Sequence, residues 1–364
     1  MINGRFSSHH FAIRNVIFNI TKQLSLDDDY DVYIVLNKDS EIEEFRSLNV
    51  RIITNNCKAD SAAMNHLYTM FIFPFVLMKH KIDLVIYPQI SIFLFNPCKS
   101  ILYMHDLIEY HVDSQNWKKM VFRKMAYPYV CRLADVIVTV SRNTKEDIIS
   151  ILNVRQDKIF VNYDGMDERL TPVNKAVAQT YVEEKFGINH YVFYIGYLTH
   201  PQKNLIYLID EFDRFHSSHP NFTLVFAGPK GRNAEQILTR ADSLGLNFHY
   251  LGKVDYEDLK YLYSACEVFC FPSLYEGFGM PVLEAMACGA PVITSNRSSL
   301  PELLPDEDWL INPEKPDDLS GRLSTVVGCS RSEISEKNIG YAKKFSWLKH
   351  GERLITIIEQ TLRQ

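Results

Sequence analysis

The sequence predicts an α/β protein built as two doubly wound parallel sheets. Short apolar runs alternate with helical patterns from one end of the 364 residues to the other, the rhythm of parallel strands covered on both faces. Two sets of about six strands, in a chain long for one domain at ~100–200 residues each, fit two such sheets better than one. The composition agrees: 46% hydrophobic and 23% charged residues, with only Gly 15 and Pro 15, exclude disorder and collagen-like or coiled-coil chains and leave most of the chain for regular elements.

In order, the strands of the first half are expected at Val32–Leu36, Val50–Thr54, Leu84–Tyr87, Ile101–Met104, Val136–Val140 and Ile159–Asn162. Those of the second are Val192–Ile195, Thr223–Ala227, Phe248–Leu251, Val268–Phe271, Pro291–Thr294 and Trp309–Ile311. A turn at Asp164–Gly165 and the polar, helical stretch Thr171–Gly187, which holds Pro172, read as the hinge. The predicted division is 1–170, a linker at 171–187, 188–345, and a closing segment 346–364. In that segment WLKHGERLITIIEQTL is apolar-periodic with no strand after it, so it needs a surface to cover.

Two segments bear on membranes. Leu67–Met78 (LYTMFIFPFVLM) is the most apolar run, too short to span a bilayer, which takes ~20 residues, and interrupted by Pro74. It reads as a buried helix, the alternative being an element that dips into a membrane surface. Trp117–Lys124 (WKKMVFRK) is basic and aromatic; it reads as a solvated helix face, or as a contact for anionic lipid or a pyrophosphate.

The net charge is −5 and the pI about 6.2. Residues 1–170 hold 20 Lys+Arg against 20 Asp+Glu, so the excess acid belongs to the remainder. A dedicated nucleic-acid binder should be basic, and that class is disfavoured. The seven cysteines are scattered and odd in number with no C-x-x-C pair. This argues against a disulfide framework or zinc site and for buried thiols in a reducing cytoplasm. No signal peptide is expected.

The chemistry concentrates in VFCFPSLYEGFGMPVLEAMACGAPVITSNRSSLPE, residues 268–302. A strand leads into a loop with Gly277 and Gly279, Pro281 stands where a helix begins, and Gly289 ends it. The loop therefore lies at the carboxyl edge of a parallel sheet, where open α/β folds bind ligands. Amides around Met280, Val282 and Leu283 form an anion site at the helix N-terminus, and the glycines admit a ligand close to the backbone. Glu276 and Glu284 bracket it. A carboxylate repels phosphates, so the partners expected for both are hydroxyls of a sugar and a ribose. Each alone would read as a solvated loop carboxylate or a first-turn Glu complementing the helix dipole.

The Glu-x7-Glu spacing in YEGFGMPVLEAMACGAPVITSN resembles the nucleotide-sugar signature of glycosyltransferase family 4, retaining enzymes of the GT-B fold. Further segments are similar along nearly the whole chain. Tyr194-Ile-Gly-Tyr-Leu with His200-Pro-Gln-Lys-Asn204 resembles the phosphate-binding loop. Tyr103-Met-His-Asp-Leu107 resembles the histidine-bearing loop, and Ala134–Ser141 the last helix–strand junction of the first domain. Phe345-Ser-Trp347 resembles the start of a helix that crosses back to the first domain. The resemblance implies two Rossmann-like domains facing a cleft, with the first binding an acceptor and the second a nucleotide sugar.

It also implies roles. Glu284 would bind the ribose hydroxyls, and Glu276 would hold the transferred sugar and face the reaction centre. The Phe278 and Gly279 amides would contact sugar hydroxyls, and Gly196, Gly277, Met280, Pro281 and Val282 would line the donor site. Lys203 would place its ammonium on the diphosphate and stabilise the leaving group, just before Asn204 at a helix N-cap. His105 would lie beside sugar and acceptor, able to exchange protons without being the catalytic base, since front-face transfer leaves the acceptor proton to the departing phosphate. No cofactor and no metal are implied. The other main glycosyltransferase fold uses Asp-x-Asp, but Asp27–Asp29 and Asp306–Asp308 read as solvated turns.

The chain departs from the family at its start. Asn3-Gly-Arg-Phe6 matches only the end of the usual first strand, and the later glycine is replaced by Ser-Ser-His-His10. Gly4 and Arg5 are the candidates there for a phosphate or acceptor loop. Tyr197 and Gln202 stand where some relatives carry arginine, which concentrates the phosphate charge on Lys203.

The segment with INGRF most resembles bacterial mannosyltransferases of O-antigen and capsule assembly. That implies transfer of mannose from GDP-mannose to a growing, lipid-linked glycan at the inner face of the cytoplasmic membrane, with peripheral membrane contact and no nucleic acid. The alternatives are a sugar-nucleotide epimerase of the same fold and a catalytically degenerate partner subunit. A dehydrogenase is disfavoured, because Val282 replaces the third glycine of a dinucleotide fingerprint and the segment comes late in its domain.

Overall fold

The computed structural model describes residues 1–5, 11–37, 42–55, 62–112 and 117–364. They divide into two units, Met1–Gly165 with Phe345–Gln364, and Met166–Lys344. The first holds strands β1 (Ile2–Asn3), β2 (Tyr33–Asn37), β3 (Arg51–Asn55), β4 (Leu84–Tyr87), β5 (Lys99–Met104), β6 (Val136–Thr139) and β7 (Ile159–Val161). They form one parallel sheet in the order β3-β2-β1-β4-β5-β6-β7. The second holds β8 (Tyr191–Ile195), β9 (Thr223–Ala227), β10 (Phe248–Tyr250), β11 (Val268–Phe271), β12 (Val292–Ser295) and β13 (Leu310–Ile311), ordered β10-β9-β8-β11-β12-β13. In both sheets the order reverses beside the first strand, between β1 and β4 and between β8 and β11, the topological switch point of doubly wound folds.

All twelve strands expected from the sequence are present, three with the expected bounds and the rest shifted by one or two residues at an end. The thirteenth, β1, is a two-residue stub. It holds the centre of its sheet because Ile2 registers with both Ile34 and Ile86. Strand alternation splits the first unit's core. Val35, Val85 and Leu102 face the helices Ala62–Phe71, Phe73–Lys79 and Trp117–Leu133. Ile34, Ile86 and Ile101 face the helix Phe11–Leu24 and the final helix Trp347–Arg363.

That final helix starts at Ser346, whose hydroxyl accepts from the Lys349 amide. It buries Trp347, Leu354, Ile357 and Ile358 in the first unit. Gly165 lets it in: a Cβ there would stand 2.2 Å from the Trp347 nitrogen.

Two expectations about organisation are corrected. The boundary falls at Gly165, not at 170, and 171–187 is not a linker. Lys175–Phe186 is a helix packed on Tyr256–Ala265 within the second unit. Ala178 and Val182 are buried, Tyr181 stacks on Tyr261 at 4.0 Å, and Asp258 accepts from Lys185 and Tyr181. Two buried apolar positions in twelve residues leave the helix polar overall, and so linker-like in sequence. By the observed division the first unit carries 22 Lys+Arg against 20 Asp+Glu, and the second the remaining 17 against 24.

The run Leu67–Met78 is not a buried helix. It breaks at Ile72 into two helices, with Pro74 in the first turn of the second. Tyr68, Phe73 and Leu77 enter the core while Leu67, Phe71, Phe75 and Met78 stay exposed. No helix among the described residues is long and apolar enough to cross a membrane. Cys131, Cys266, Cys270 and Cys288 are buried free thiols and Cys329 is an exposed one; Cys57 lies outside the described residues.

Candidate active site

In the second unit the switch point brings two loops side by side. β8 pairs directly with β11, Val192 against Val268, so the segment after β8 and the Glu276 loop after β11 leave the same edge of the sheet. Backbone and side chain then stitch them together. The Leu274 amide donates to the Gln202 carbonyl at 2.8 Å, the Ser273 hydroxyl oxygen lies 3.1 Å from the same carbonyl, and the Gln202 side-chain amide donates to the Tyr275 carbonyl.

This stitching places the Lys203 ammonium 2.5 Å from Glu276 Oε1. Both side chains are largely buried, 15% and 13% exposed, and the ammonium lies 5.2 Å from the centre of the Phe271 ring. Ser273 donates a second bond to the same carboxylate oxygen. The two groups expected to act on diphosphate and sugar are therefore each other's partner.

Serines of the following loop fix Glu276. Its amide donates to Ser298 Oγ at 2.9 Å, and the Ser299 hydroxyl lies 2.9 Å from the carbonyls of Glu276 and Phe278. Ser295 holds the Ser273 carbonyl. Ser273, Ser295, Ser298 and Ser299 carry no role in the sequence reading. The cluster SNRSS, which starts at the last residue of β12, was the available signal for three of them, since hydroxyls close together beside a glycine loop are poised to tie its carbonyls.

Gly279 enters the helix Met280–Ala287 at φ 110°. A Cβ would lie 2.7 Å from a Leu300 methyl, so backbone conformation and space both require glycine there. Pro281 stands in the first turn as expected. The anion site is narrower than expected, because the Val282 amide turns back onto the Gly279 carbonyl at 2.9 Å and is not open. Asn204 also departs: it occupies the N-cap of Leu205–His216 at φ 55° without capping it, and its amide donates to the Pro313 carbonyl. Gly196 lies against the end of β9, where a Cβ on Gly228 would meet the Gly196 carbonyl at 2.1 Å.

Glu284 accepts from the Tyr263 hydroxyl at 2.9 Å. Burial pushes its carboxyl up to about 7, the tyrosine bond opposing and the Asp167 charge adding to the rise. Asp167 forms a forked pair with Arg169, whose guanidinium lies 4.4 Å from the centre of the Tyr256 ring; Tyr256 hydrogen-bonds to Asp167. Asp167 and Arg169 were assigned to the first domain by sequence. Their contacts with Tyr256 are what hold 166–170 in the second unit, near Glu284.

His105 follows β5, and its Nε2 lies 2.7 Å from the Pro88 carbonyl at the end of β4. A carbonyl only accepts, so Nε2 carries the proton and Nδ1 is the nitrogen left for chemistry. Behind it, Tyr103 and Asn162 hold the buried His350 of the final helix. The Tyr103 hydroxyl lies 3.1 Å from His350 Nε2, and His350 Nδ1 lies 2.9 Å from the Tyr163 carbonyl. Burial pushes His350 down and Asp164 up.

Gly4 and Arg5 follow β1. Gly4 has no room for a Cβ, which would stand 2.8 Å from a Leu36 methyl. Arg5 is buried, donates from Nε to Asn37, and lies 3.5 Å from the Tyr68 ring centre. Its described contacts are those of a core residue. Residues 6–10, including Ser7, lie outside the described residues. Asp27–Asp29 form a turn, and Asp306 pairs with Lys337.

Comparison with known families decides what this edge belongs to. Residues 13–170 match the model of Glycosyltransferase Family 4, and residues 180–345 that of Glycosyl transferases group 1. The chain belongs to the family 4 glycosyltransferases. This family 4 chain is 33% identical over 221 residues to the O-antigen chain mannosyltransferase B of Escherichia coli, covering 59% of the chain and 58% of that relative. It is 27% identical over 264 residues to the serotype-specific mannosyltransferase WbdA of Escherichia coli, covering 69% and 32%. The matches thus span from about a third to under two thirds of these relatives' length. Among solved structures, HepE of Anabaena in complex with UDP and glucose superposes with a TM-score of 0.74 at 17% identity, covering 98% of both chains. The fold is the GT-B fold the sequence led us to expect.

Proposed function

We propose that this chain is a retaining, metal-independent hexosyltransferase that moves mannose from GDP-mannose to a growing, lipid-linked surface glycan at the cytoplasmic face of the membrane. The observation that carries the transfer reading is the buried Lys203–Glu276 pair beside the Gly279–Met280 helix start, with Glu284 four residues into the helix. The mannose reading is supported by the O-antigen chain and serotype-specific mannosyltransferases it resembles, and the nucleotide-sugar class by the complex of HepE with UDP and glucose.

On this reading Glu284 accepts from the ribose hydroxyls and the Met280 end of the helix faces the diphosphate. The Lys203 ammonium leaves Glu276 for the diphosphate oxygens, where it stabilises charge as the anomeric C–O bond breaks. Glu276, freed, accepts from hydroxyls of the transferred sugar. The acceptor oxygen bonds to the anomeric carbon on the face the phosphate leaves, and its proton passes to the departing phosphate oxygen. His105, its Nε2–H held by Pro88, offers Nδ1 to a hydroxyl and orients without taking the proton.

A panel of nucleotide sugars tested by thermal shift, followed by transfer in excess chelator, examines the proposal. GDP-mannose is expected to stabilise most, with transfer persisting. Preference for a UDP or dTDP sugar would overturn the donor assignment, and strict dependence on added divalent metal would overturn the mechanism.

A further inference from the structure

Behind His105 the first unit buries a row of polar groups in an otherwise apolar layer. Tyr103 on β5 and His105 just past its end stand two residues apart and so share one face of the sheet. The final helix lays His350 on that face. The Tyr103 ring lies 6.0 Å from the His105 ring and 6.1 Å from the His350 ring. The side-chain amide of Asn162 ties down the His350 carbonyl at 3.1 Å.

His350 is fully satisfied as a neutral imidazole. A carbonyl only accepts, so Nδ1 gives its proton to Tyr163 and Nε2 accepts from the Tyr103 hydroxyl. Asp164, the next residue after Tyr163, is not satisfied. Its Oδ1 lies 4.0 Å from His350 Nδ1, beyond hydrogen-bond length, and has no hydrogen-bond partner among the described residues. Only 8% of the side chain is exposed. Burial raises its carboxyl, while the charge of His105, and after it that of His350, opposes the rise. A carboxylate withdrawn from water without a donor works against the fold. A buried acceptor left open beside a reactive histidine is explained if a ligand brings the donor.

We propose that Asp164 binds the acceptor, its carboxylate accepting from a hydroxyl of the acceptor sugar next to the hydroxyl that His105 orients. His105 Nδ1 and Asp164 are both hydrogen-bond acceptors at the carboxyl edge of one sheet, on the same face, with no donor supplied by the chain. Two neighbouring ring hydroxyls bring one donor each. The Asp164 charge repels phosphate and carboxylate, so the group it selects is the neutral sugar end of the acceptor. A hydrogen bond to a charged oxygen is about twice as strong as one to a neutral oxygen, and a site built around a hydroxyl rejects an analogue that lacks it. The inference rests on the transfer reading above and specifies its acceptor side.

The variant Asp164→Asn keeps the shape and removes the charge. It is expected to melt a few degrees higher than the wild type, because a buried charge is gone, and to bind GDP with unchanged affinity in calorimetry. In transfer from GDP-mannose its KM for octyl α-mannoside should rise roughly tenfold. Among the monodeoxy forms of that acceptor, one should already show the raised KM with the wild type and no further rise with the variant. A lower melting temperature with an unchanged acceptor KM would make Asp164 a structural residue and overturn the proposal. A rise of equal size with every deoxy acceptor would overturn it too. Transfer by the wild type from another nucleotide sugar alone would overturn the mannose donor instead, and the same acceptor comparison is then made with that sugar.

Discussion

Replacing Glu276 by Gln is expected to tighten GDP binding while abolishing most transfer. The Lys203 ammonium sits 2.5 Å from the Glu276 carboxylate, with each side chain less than a sixth exposed. Diphosphate must take the ammonium from that carboxylate. A hydrogen bond to a charged group is worth about 1.5–3 kcal/mol, and 1.4 kcal/mol is a factor of about ten. Removing the competing charge should therefore strengthen GDP binding about 10- to 100-fold. Gln keeps the backbone ties to Ser298 and Ser299, so the loop stays in place. Transfer should fall roughly 10²–10³-fold, the usual cost of one missing electrostatic contact at a reaction centre. Titration calorimetry with GDP and a GDP-release assay read the two effects separately. Equal or weaker GDP affinity in the variant would refute the idea that Lys203 exchanges Glu276 for phosphate.

Three further outcomes follow from named contacts. Lys203→Ala should weaken GDP affinity and turnover together, by roughly tenfold or more; unchanged calorimetric affinity rejects the phosphate assignment. Burial raises Glu284 to about 7, and ribose hydroxyls bond to its charged form. Donor affinity in the wild type relative to Glu284→Gln should thus rise with pH up to about 7 and level off above it. The folded state also holds that proton more tightly than the unfolded chain, so this group's contribution to stability falls as pH climbs from about 4.5 towards 7. A flat affinity ratio across that window would exclude Glu284 from the ribose. Gly279→Ala, forced to φ 110° with its methyl against Leu300, should cost about 1–3 kcal/mol in a thermal melt; a wild-type melting temperature would show that the turn relaxes.

Much of this was legible locally. Runs such as Leu84–Tyr87 and Val268–Phe271 are buried on both faces of a parallel sheet and so read as continuous apolar strands. The helix start at Gly279-Met280-Pro281 was visible because proline and glycine each restrict their own backbone. The errors arose where burial did not follow from local polarity. Lys175–Phe186 looks like a linker because it buries only two side chains. Leu67–Met78 looks like a core helix because its exposed side is as apolar as its buried one. Asn204 carries a type suited to a cap, yet its side-chain amide goes to the Pro313 carbonyl.

Twelve of the strands, the glycine loop, the two carboxylates eight residues apart and the final helix are legible in the chain, because each is written in backbone preference, in residue spacing or in the period of apolar residues. Only the tertiary structure decided which groups meet. Lys203 and Glu276 are 73 residues apart in the chain, and they touch because the parallel order sets β8 beside β11, so two loops leave one edge together. The same applies to His350 against Tyr103, 247 residues away, and to the division that leaves the first unit net basic. Side-chain chemistry is local, but its partners are chosen by strand order and by which helix face the sheet covers.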